Sequence, residues 1–314
     1  MRSVVLNGTP QWQSAWPIPI AGANDALVRI VLAGICRTDL EMMRGYKGFT
    51  GIIGHEFVGV VVSAHAHPHL EGQRVVGEIN QGCGKCRFCL CRQENHCPSR
   101  RVLGIHNWDG VLAEYAVVPV ANLHLVPGEV SDQEAVFVEP LAAAIEILEQ
   151  LHVRPTHRVL VIGDGRLGGL VAQVLTLTGC ELLLIGRHEA KLSRLAALGI
   201  PVALTTDDLY PLIIDCTGSP SGVTLAHQLV EPRGKIILKS TFHGDNPLSL
   251  THMVVNEITL SGSRCGPFAP ALRLLSKKLI QVVPFIDGIF PLEQALEALS
   301  YAARPGVFKI LVHP

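Results

Sequence analysis

The sequence has few charged side chains and almost no net charge. Asp, Glu, Lys and Arg make up 17% of the 314 residues, and the formal net charge is -1. The basic residues form no runs, which argues against a nucleic-acid partner. No apolar run reaches the roughly 18 residues of a membrane-spanning helix, and no repeat or low-complexity segment is visible. We therefore expect a globular protein with no nucleic-acid or membrane partner.

Secretory features are also missing. Residues 1–6 alternate like a strand and lack the charged region, apolar core and small-residue cleavage site of a leader peptide. Five of the nine cysteines are scattered without a disulfide-like pattern. These are Cys36, Cys91, Cys180, Cys216 and Cys265. We expect a cytoplasmic location with reduced thiols.

The other four cysteines have the spacing of a metal site. Cys83, Cys86, Cys89 and Cys97 form the pattern C-x2-C-x2-C-x7-C. Four thiolates at such short spacing are typical of tetrahedral structural zinc, which leaves no coordination position for a substrate. We predict a zinc lobe at about residues 80–100 and look for the chemistry elsewhere.

The pattern of apolar residues changes near residue 150. The length predicts two domains. Short β-rich runs at 27–33, 57–64, 74–78 and 111–119 indicate an antiparallel β-rich first domain. After a helix at 139–151, strands alternate with helices: the strands at 158–162, 181–185, 212–216 and 235–239, the helices at 169–178 and 189–198. This alternation of apolar strands and helices predicts a doubly wound parallel α/β sheet.

A glycine-rich turn follows the first of these strands. Gly163, Gly165 and Gly168, with Arg166 and Leu167 between the last two, form G-x-G-x-x-G between a buried strand and a helix. Such a turn lets a dinucleotide pyrophosphate rest on the helix N-terminus. The alternative is a tight strand-to-helix turn without a ligand.

The next strand ends without the acid that usually binds the ribose hydroxyls of NAD. It is followed by Gly186, Arg187 and His188, with Lys191 one turn later. A missing carboxylate together with an arginine favours a 2′-phosphate, and hence NADP over NAD. The alternative is that these cations face solvent.

Several motifs together resemble the zinc-dependent medium-chain alcohol dehydrogenases, in particular their polyol, sorbitol and threonine dehydrogenase branch. The resemblance covers nearly the whole chain. The motifs, in family order, are Gly34-Ile35-Cys36-Arg37-Thr38-Asp39-Leu40, Gly54-His55-Glu56, the four-cysteine lobe, Val138-Glu139-Pro140-Leu141 and the glycine-rich turn. The resemblance implies a GroES-like catalytic domain at 1–145 and 265–314, a Rossmann domain at 146–264 and a homodimer or homotetramer.

A second, open zinc site follows from the residue types. Cys36, His55 and a carboxylate supply S, N and O ligands and leave a position for an alcohol or water. Glu56 and Glu139 are both candidates for the carboxylate, with a slight preference for Glu139. Each residue alone has an ordinary structural interpretation: a small buried thiol, a core histidine or a helix-start carboxylate.

The resemblance also implies roles for other residues. Thr38 corresponds to the hydroxyl that takes the alcohol proton, and Glu41 stands where many relatives have a histidine that completes the relay. Asp39 resembles a carboxylate that orients His55, although a helix cap is nearly as good an explanation. The residues expected near the coenzyme are Arg37, Thr217, Gly218, Ser240 and Arg264. Residues 105–108 are expected to wall the substrate pocket.

The sequence thus predicts an NAD(P)-dependent alcohol dehydrogenase with two zinc ions per chain. Its substrate would be a secondary alcohol, a polyol or the corresponding ketone. One alternative is a non-catalytic zinc protein that senses pyridine nucleotide. Another is a zinc-independent quinone-type reductase of the same superfamily, which the open-site ligands argue against.

Overall fold

The computed structural model describes residues 1–45, 48–241 and 248–314. The strands are β1 Ser3–Asn7, β2 Thr9–Gln13, β3 Asp25–Gly34, β4 Gly51–Ile52, β5 Glu56–Ser63, β6 Arg74–Gly77, β7 Asn80–Gln81, β8 Arg101–Val102, β9 Tyr115–Pro119, β10 Leu123–Leu125, β11 Arg158–Ile162, β12 Glu181–Ile185, β13 Val202–Ala203, β14 Tyr210–Asp215, β15 Val230–Leu238, β16 Thr259–Gly262, β17 Ile286–Pro291 and β18 Lys309–His313. The helices are α1 Arg37–Met42, α2 Arg87–Leu90, α3 Asp132–Ala135, α4 Val138–Gln150, α5 Arg166–Thr176, α6 Glu189–Ala196, α7 Pro220–Leu229, α8 Leu250–Val255, α9 Phe268–Ser276 and α10 Ala295–Ala302.

Two units divide the chain. The first comprises Met1–Glu139 and Ala271–Pro314, and the second comprises Pro140–Pro270. The sequence predicted that the first domain ends at residue 145, whereas the first segment of the first unit ends at residue 139. It predicted that the second domain ends at residue 264, whereas the second unit ends at residue 270. Helix α4 crosses the first boundary and helix α9 crosses the second, so a composition change cannot locate either one to the residue.

The first unit is built on a mostly antiparallel sheet. Its strand order is β10-β6-β5-β3-β18-β17 within the described residues, and β9 also pairs with β3. The central strand β3 shows the alternation of a half-buried strand, because Ala26, Val28, Ile30 and Leu32 are buried on one face. β18 pairs antiparallel with β3, so the C-terminal segment completes the sheet of the N-terminal residues.

The second unit contains a parallel sheet with the order β13-β12-β11-β14-β15-β16 in the part of the chain that is described. In β11, the residues Val159 to Ile162 are buried without alternation, as expected for a strand covered on both faces. From β11 the chain builds outward to β12 and β13, then returns to add β14, β15 and β16 on the other side. The strand order therefore reverses between β11 and β14.

Some elements differ in extent from the predictions. The strand expected at 111–119 starts only at Tyr115, because Val111 and Leu112 donate their N–H groups to Gly54 O and Ile53 O. Helix α5 starts at Arg166, inside the glycine-rich motif, and not at 169. No helix among the described residues is long and apolar enough to cross a membrane.

Candidate metal and nucleotide sites

The four cysteines of the predicted zinc lobe converge. The sulfur atoms of Cys83, Cys86, Cys89 and Cys97 all lie within 4.8 Å of one another, and the Cys86 and Cys89 sulfurs are 3.5 Å apart. Four sulfurs on a tetrahedron with Zn–S bonds of about 2.3 Å are about 3.8 Å apart. The cluster therefore fits a zinc ion.

Local backbone geometry prepares these thiols for metal binding. The N–H groups of Lys85 and Cys86 lower the pKa of Cys83 to about 6. Hydrogen bonds of this kind stabilise the thiolate, which is the form that binds metal. Burial raises the pKa of Cys89 to about 12. That thiol releases its proton to a bound cation, because a metal stabilises the thiolate.

A second cluster joins Cys36, His55 and Glu56. One ligand atom from each residue lies within 4.8 Å of the other two. Cys36 follows β3 and is the N-cap of α1, while Glu56 begins β5. Since Gly34 and Glu56 face each other in the β3–β5 ladder, the pairing of these strands brings the three residues together.

Asp39 supports this cluster from α1. Its side chain is fully buried, its Oδ2 accepts the Cys36 N–H at 2.7 Å, and its Oδ1 lies 3.2 Å from His55 Nδ1. Asp39 is the third residue of α1 and not its N-cap, which is Cys36, although its carboxylate closes the capping box by accepting the Cys36 N–H. The same carboxylate contacts His55. Burial alone would lower the pKa of His55, but the Asp39 carboxylate and Cys36 raise it well above its ordinary value. The contact at Nδ1 leaves Nε2 of His55 for a metal.

Lys309 is a functional residue that the sequence did not indicate. Its ammonium forms an ion pair with Glu56, and both side chains are completely buried. It also lies 5.7 Å from the centre of the Phe137 ring. Burial lowers the pKa of Lys309 to about 8. The two residues are far apart in sequence, and three apolar residues follow Lys309 in β18, so no local pattern could have predicted the pair.

Three further residues were predicted to act at this site: Thr38, Glu41 and Glu139. The Thr38 hydroxyl lies 3.7 Å from the Cys36 sulfur. Glu41 Oε1 accepts from Arg37 Nε at 3.0 Å and from Arg44 Nη1 at 2.9 Å. Glu139 is half-buried in the first turn of α4 and does not belong to the cluster of ligand atoms found among the described residues. The geometry thus groups Glu56 with Cys36 and His55, whereas Glu139 remains a candidate on sequence grounds.

Residues 106–108, three of the four residues expected to wall the substrate pocket, line a depression of about 400 Å³ in the first unit. Its lining is formed by Gly48, Phe49, Thr50, His106, Asn107, Trp108 and Asp109. Trp108 is 9% exposed, and its Nε1 donates to Val117 O at 3.0 Å. Trp108 therefore both packs against β9 and lines the depression.

The glycine-rich turn has the shape of a phosphate-binding turn. Gly163 has φ +124°, and a Cβ on Gly168 would lie 1.9 Å from Gly163 O. Only glycine at both positions lets α5 start this close to the end of β11. Gly165 is the N-cap of α5, so the N–H groups of Arg166 and Leu167 lie in the first turn, where a pyrophosphate binds.

Asp164 lies at the strand end where the ribose is expected. Its Oδ2 accepts the N–H groups of Arg187 and His188 at 2.7 and 2.8 Å and lies 2.9 Å from His188 Nδ1. A Cβ on Gly186 would lie 2.3 Å from Asp164 Cβ, so glycine is required there. The carboxylate that the sequence seemed to lack after β12 thus comes from the glycine-rich turn. Its neighbour Arg187 is exposed.

The other predicted coenzyme residues of this unit lie at three strand ends of the sheet and in α6. The Thr217 hydroxyl donates to buried Asp215 at 2.8 Å. A Cβ on Gly218 would lie 3.5 Å from Ser240 Cβ, so the ends of β14 and β15 meet. Arg264 is exposed after β16, and Lys191 lies half-buried in α6.

Comparison with known proteins identifies the class. Residues 22–128 match the alcohol dehydrogenase GroES-like domain, and residues 167–277 match the zinc-binding dehydrogenase domain. Starvation-sensing protein RspB of Escherichia coli K12 is 31% identical over 306 residues, which cover 90% of this chain and 89% of that protein. D-arabitol-phosphate dehydrogenase of Enterococcus avium is 26% identical, with 94% and 91% covered. The chain belongs to the zinc-dependent medium-chain alcohol dehydrogenase family, which confirms the predicted family and enzyme class.

Solved structures agree over the whole chain. A Sinorhizobium meliloti 1021 protein with NADP bound superposes with a TM-score of 0.91 at 25% identity, covering 100% of this chain and 99% of that one. The rspB alcohol dehydrogenase of E. coli CFT073, complexed with NADH, gives a TM-score of 0.92 at 27% identity with the same coverage. The predicted fold class, a GroES-like domain with a Rossmann domain, is confirmed.

Proposed function

We propose that this protein is a zinc-dependent dehydrogenase that transfers hydride between NAD(P) and a secondary alcohol, a polyol or the corresponding ketone. The observation that carries this proposal is the cluster of Cys36, His55 and Glu56 in a chain that also has a phosphate-binding turn. Three ligands of mixed type leave one position of a tetrahedral zinc ion for a substrate. Zinc bound there would act as a Lewis acid that lowers the pKa of an alcohol.

The surrounding residues have distinct tasks in this proposal. Asp39 orients the His55 ring through Nδ1. Lys309 neutralises the buried Glu56 carboxylate when no metal shares it, because an unpaired buried charge is costly. The Thr38 hydroxyl, next to the Cys36 sulfur, receives the alcohol proton. Glu41 is a candidate to pass that proton on, although Arg37 and Arg44 already hold its carboxylate.

We propose NADP as the favoured coenzyme. The Asp164 carboxylate is already bonded to two backbone N–H groups and to the His188 ring. Arg187 is exposed at the neighbouring strand end, after β12, and its guanidinium supplies a cation for a 2′-phosphate. A homodimer or homotetramer is proposed on the family resemblance.

Enzyme assays on the zinc-loaded protein test this proposal. We would follow coenzyme reduction at 340 nm with a panel of secondary alcohols and polyols, using NADP⁺ and NAD⁺ in parallel. The expected result is turnover with at least one polyol that Cys36→Ala lowers by about 10³-fold or more, because loss of a ligand removes the Lewis acid. Cys180→Ala, which removes a half-buried thiol of the other unit, is the matched control and should retain activity.

Two outcomes would contradict the proposal. Turnover that survives Cys36→Ala would indicate the zinc-independent reductase. Coenzyme binding without turnover of any alcohol or ketone in the panel would favour the nucleotide sensor.

A further inference from the structure

Lys239 is a buried lysine at the carboxyl edge of the parallel sheet. It directly follows β15, and it is 8% exposed. Its Nζ donates to Ser263 Oγ at 2.9 Å, and Ser263 is itself 6% exposed. A charge in such a water-poor place acts strongly on any group that binds beside it, because the local dielectric constant is low.

Backbone contacts locate this lysine within the edge. The N–H of Lys239 donates to Asp215 O at 2.9 Å, and the N–H of Ser263 donates to Leu238 O at 2.9 Å. The ends of β14, β15 and β16 are therefore level with one another. Ser240, the residue after Lys239, lies against the Gly218 turn that ends β14. Lys239 thus lies beside the crevice in which a doubly wound sheet binds its ligand.

The topology indicates which part of the coenzyme lies there. A dinucleotide spans the point where strand order reverses, here between β11 and β14. Its pyrophosphate rests on the turn after β11, and the adenosine half extends towards β12. The nicotinamide half must then extend over β14 and β15, where Lys239 is found.

The charge of Lys239 reaches groups on two neighbouring elements. Burial raises the pKa of Cys216, at the end of β14, and the Lys239 ammonium opposes this rise. Burial likewise raises the pKa of Glu146 on α4, and the same ammonium opposes that rise too. Glu146, when ionised, partly offsets the charge of Lys239.

We propose that Lys239 makes the site discriminate between the oxidised and the reduced coenzyme, an inference that rests on the proposed function. The nicotinamide ring carries a positive charge when oxidised and is neutral after accepting hydride at C4. A buried ammonium near the ring repels only the oxidised form. It therefore weakens binding of NADP⁺ relative to NADPH and favours transfer of hydride from the alcohol carbon to the bound coenzyme, the alcohol proton going to solvent.

Calorimetric titration of the zinc-loaded protein tests this inference. We would measure Kd for NADP⁺ and NADPH, and for NAD⁺ and NADH, in wild type, Lys239→Met and Glu146→Gln. Lys239→Met should lower the ratio of oxidised to reduced Kd by about tenfold, mainly through tighter binding of the oxidised form. Glu146→Gln should raise this ratio. Lys235→Met removes the same charge from an exposed position inside β15, four residues before Lys239, and should leave the ratio unchanged.

The outcomes separate this inference from the proposed function. Equal weakening of both forms in Lys239→Met, or no change in either, would overturn the inference while the wild type still binds coenzyme. A wild-type protein that binds none of the four nucleotides would contradict the proposed function and this inference with it. If Lys239→Met does not fold, Glu146→Gln tests the inference by itself. A ratio of oxidised to reduced Kd that falls or stays unchanged in Glu146→Gln would contradict the proposed effect of Lys239.

Discussion

Some residues of the two candidate metal sites could be predicted from the sequence, and others could not. The four cysteines of the lobe lie within 15 residues, so their spacing alone predicted the cluster. Cys36 and His55 were found through the motifs that frame them. Lys309 was missed because its partner Glu56 lies at the other end of the chain, and the two residues meet because β3 pairs with both β5 and β18.

Asp164 was missed for a different reason. No acid follows β12 in the sequence, but the Asp164 carboxylate of the glycine-rich turn after β11 lies against the residues that follow β12. Parallel pairing of β11 and β12 places the two strand ends side by side. The signal in the sequence was an acid in the second position of the turn followed, 22 residues later, by the small residue Gly186.

Coenzyme preference should respond to this carboxylate. Asp164→Asn keeps the side-chain size but removes a negative charge beside the expected 2′-phosphate. The ratio of Kd for NADPH to Kd for NADH should fall by about tenfold, because the repelled group occurs only in NADPH. Arg187→Ala should raise the same ratio. Equal ratios in wild type and Asp164→Asn, measured by fluorescence titration, would show that Asp164 does not face the 2′ position.

At the level of elements, the sequence predicted most strands and helices of the second unit. Runs such as 158–162 and 181–185 were located to the residue, because buried parallel strands are continuous apolar segments. The strands of the first unit were less accurate. β9 was predicted four residues too long. Residues 111 and 112 hydrogen-bond to the segment before β5, and the pattern of apolar residues cannot distinguish these hydrogen bonds from strand pairing.

Helices α7 and α8 meet at a histidine pair that predicts a pH effect on stability. The rings of His227 and His252 are 4.4 Å apart. Burial, and then His252, lower the pKa of His227. Protonation therefore favours the unfolded chain: the stability is fully present above an unfolded pKa of about 6.5 and is lost as pH falls from there towards the lowered folded value.

The variant His227→Phe keeps a ring against His252 but cannot be protonated. Its melting temperature should fall less than that of the wild type between pH 7.5 and 5.5, as measured by differential scanning fluorimetry. His69→Phe, which changes an exposed histidine, should follow the wild-type curve. A parallel decline of His227→Phe and wild type would mean that the histidine pair does not carry the pH effect.

At the level of the whole molecule, each unit holds one part of the proposed chemistry. The first unit contains both cysteine-based clusters, and the second contains the phosphate-binding turn and Lys239. The chain length and the change of apolar pattern near residue 150 predicted two domains, and the family resemblance implied the C-terminal return. The substrate did not follow, because loops line the depression in the first unit and loop sequences carry little information about what they bind.

The metal content per chain tests the central claim most directly. We would measure zinc by mass spectrometry in wild type, Cys36→Ala and Cys180→Ala after identical loading and desalting. We expect two zinc ions in wild type and Cys180→Ala and one in Cys36→Ala, because of the two clusters among the described residues the four-cysteine cluster alone then keeps all its ligands. One zinc ion in all three proteins would contradict an open zinc site at Cys36, His55 and Glu56.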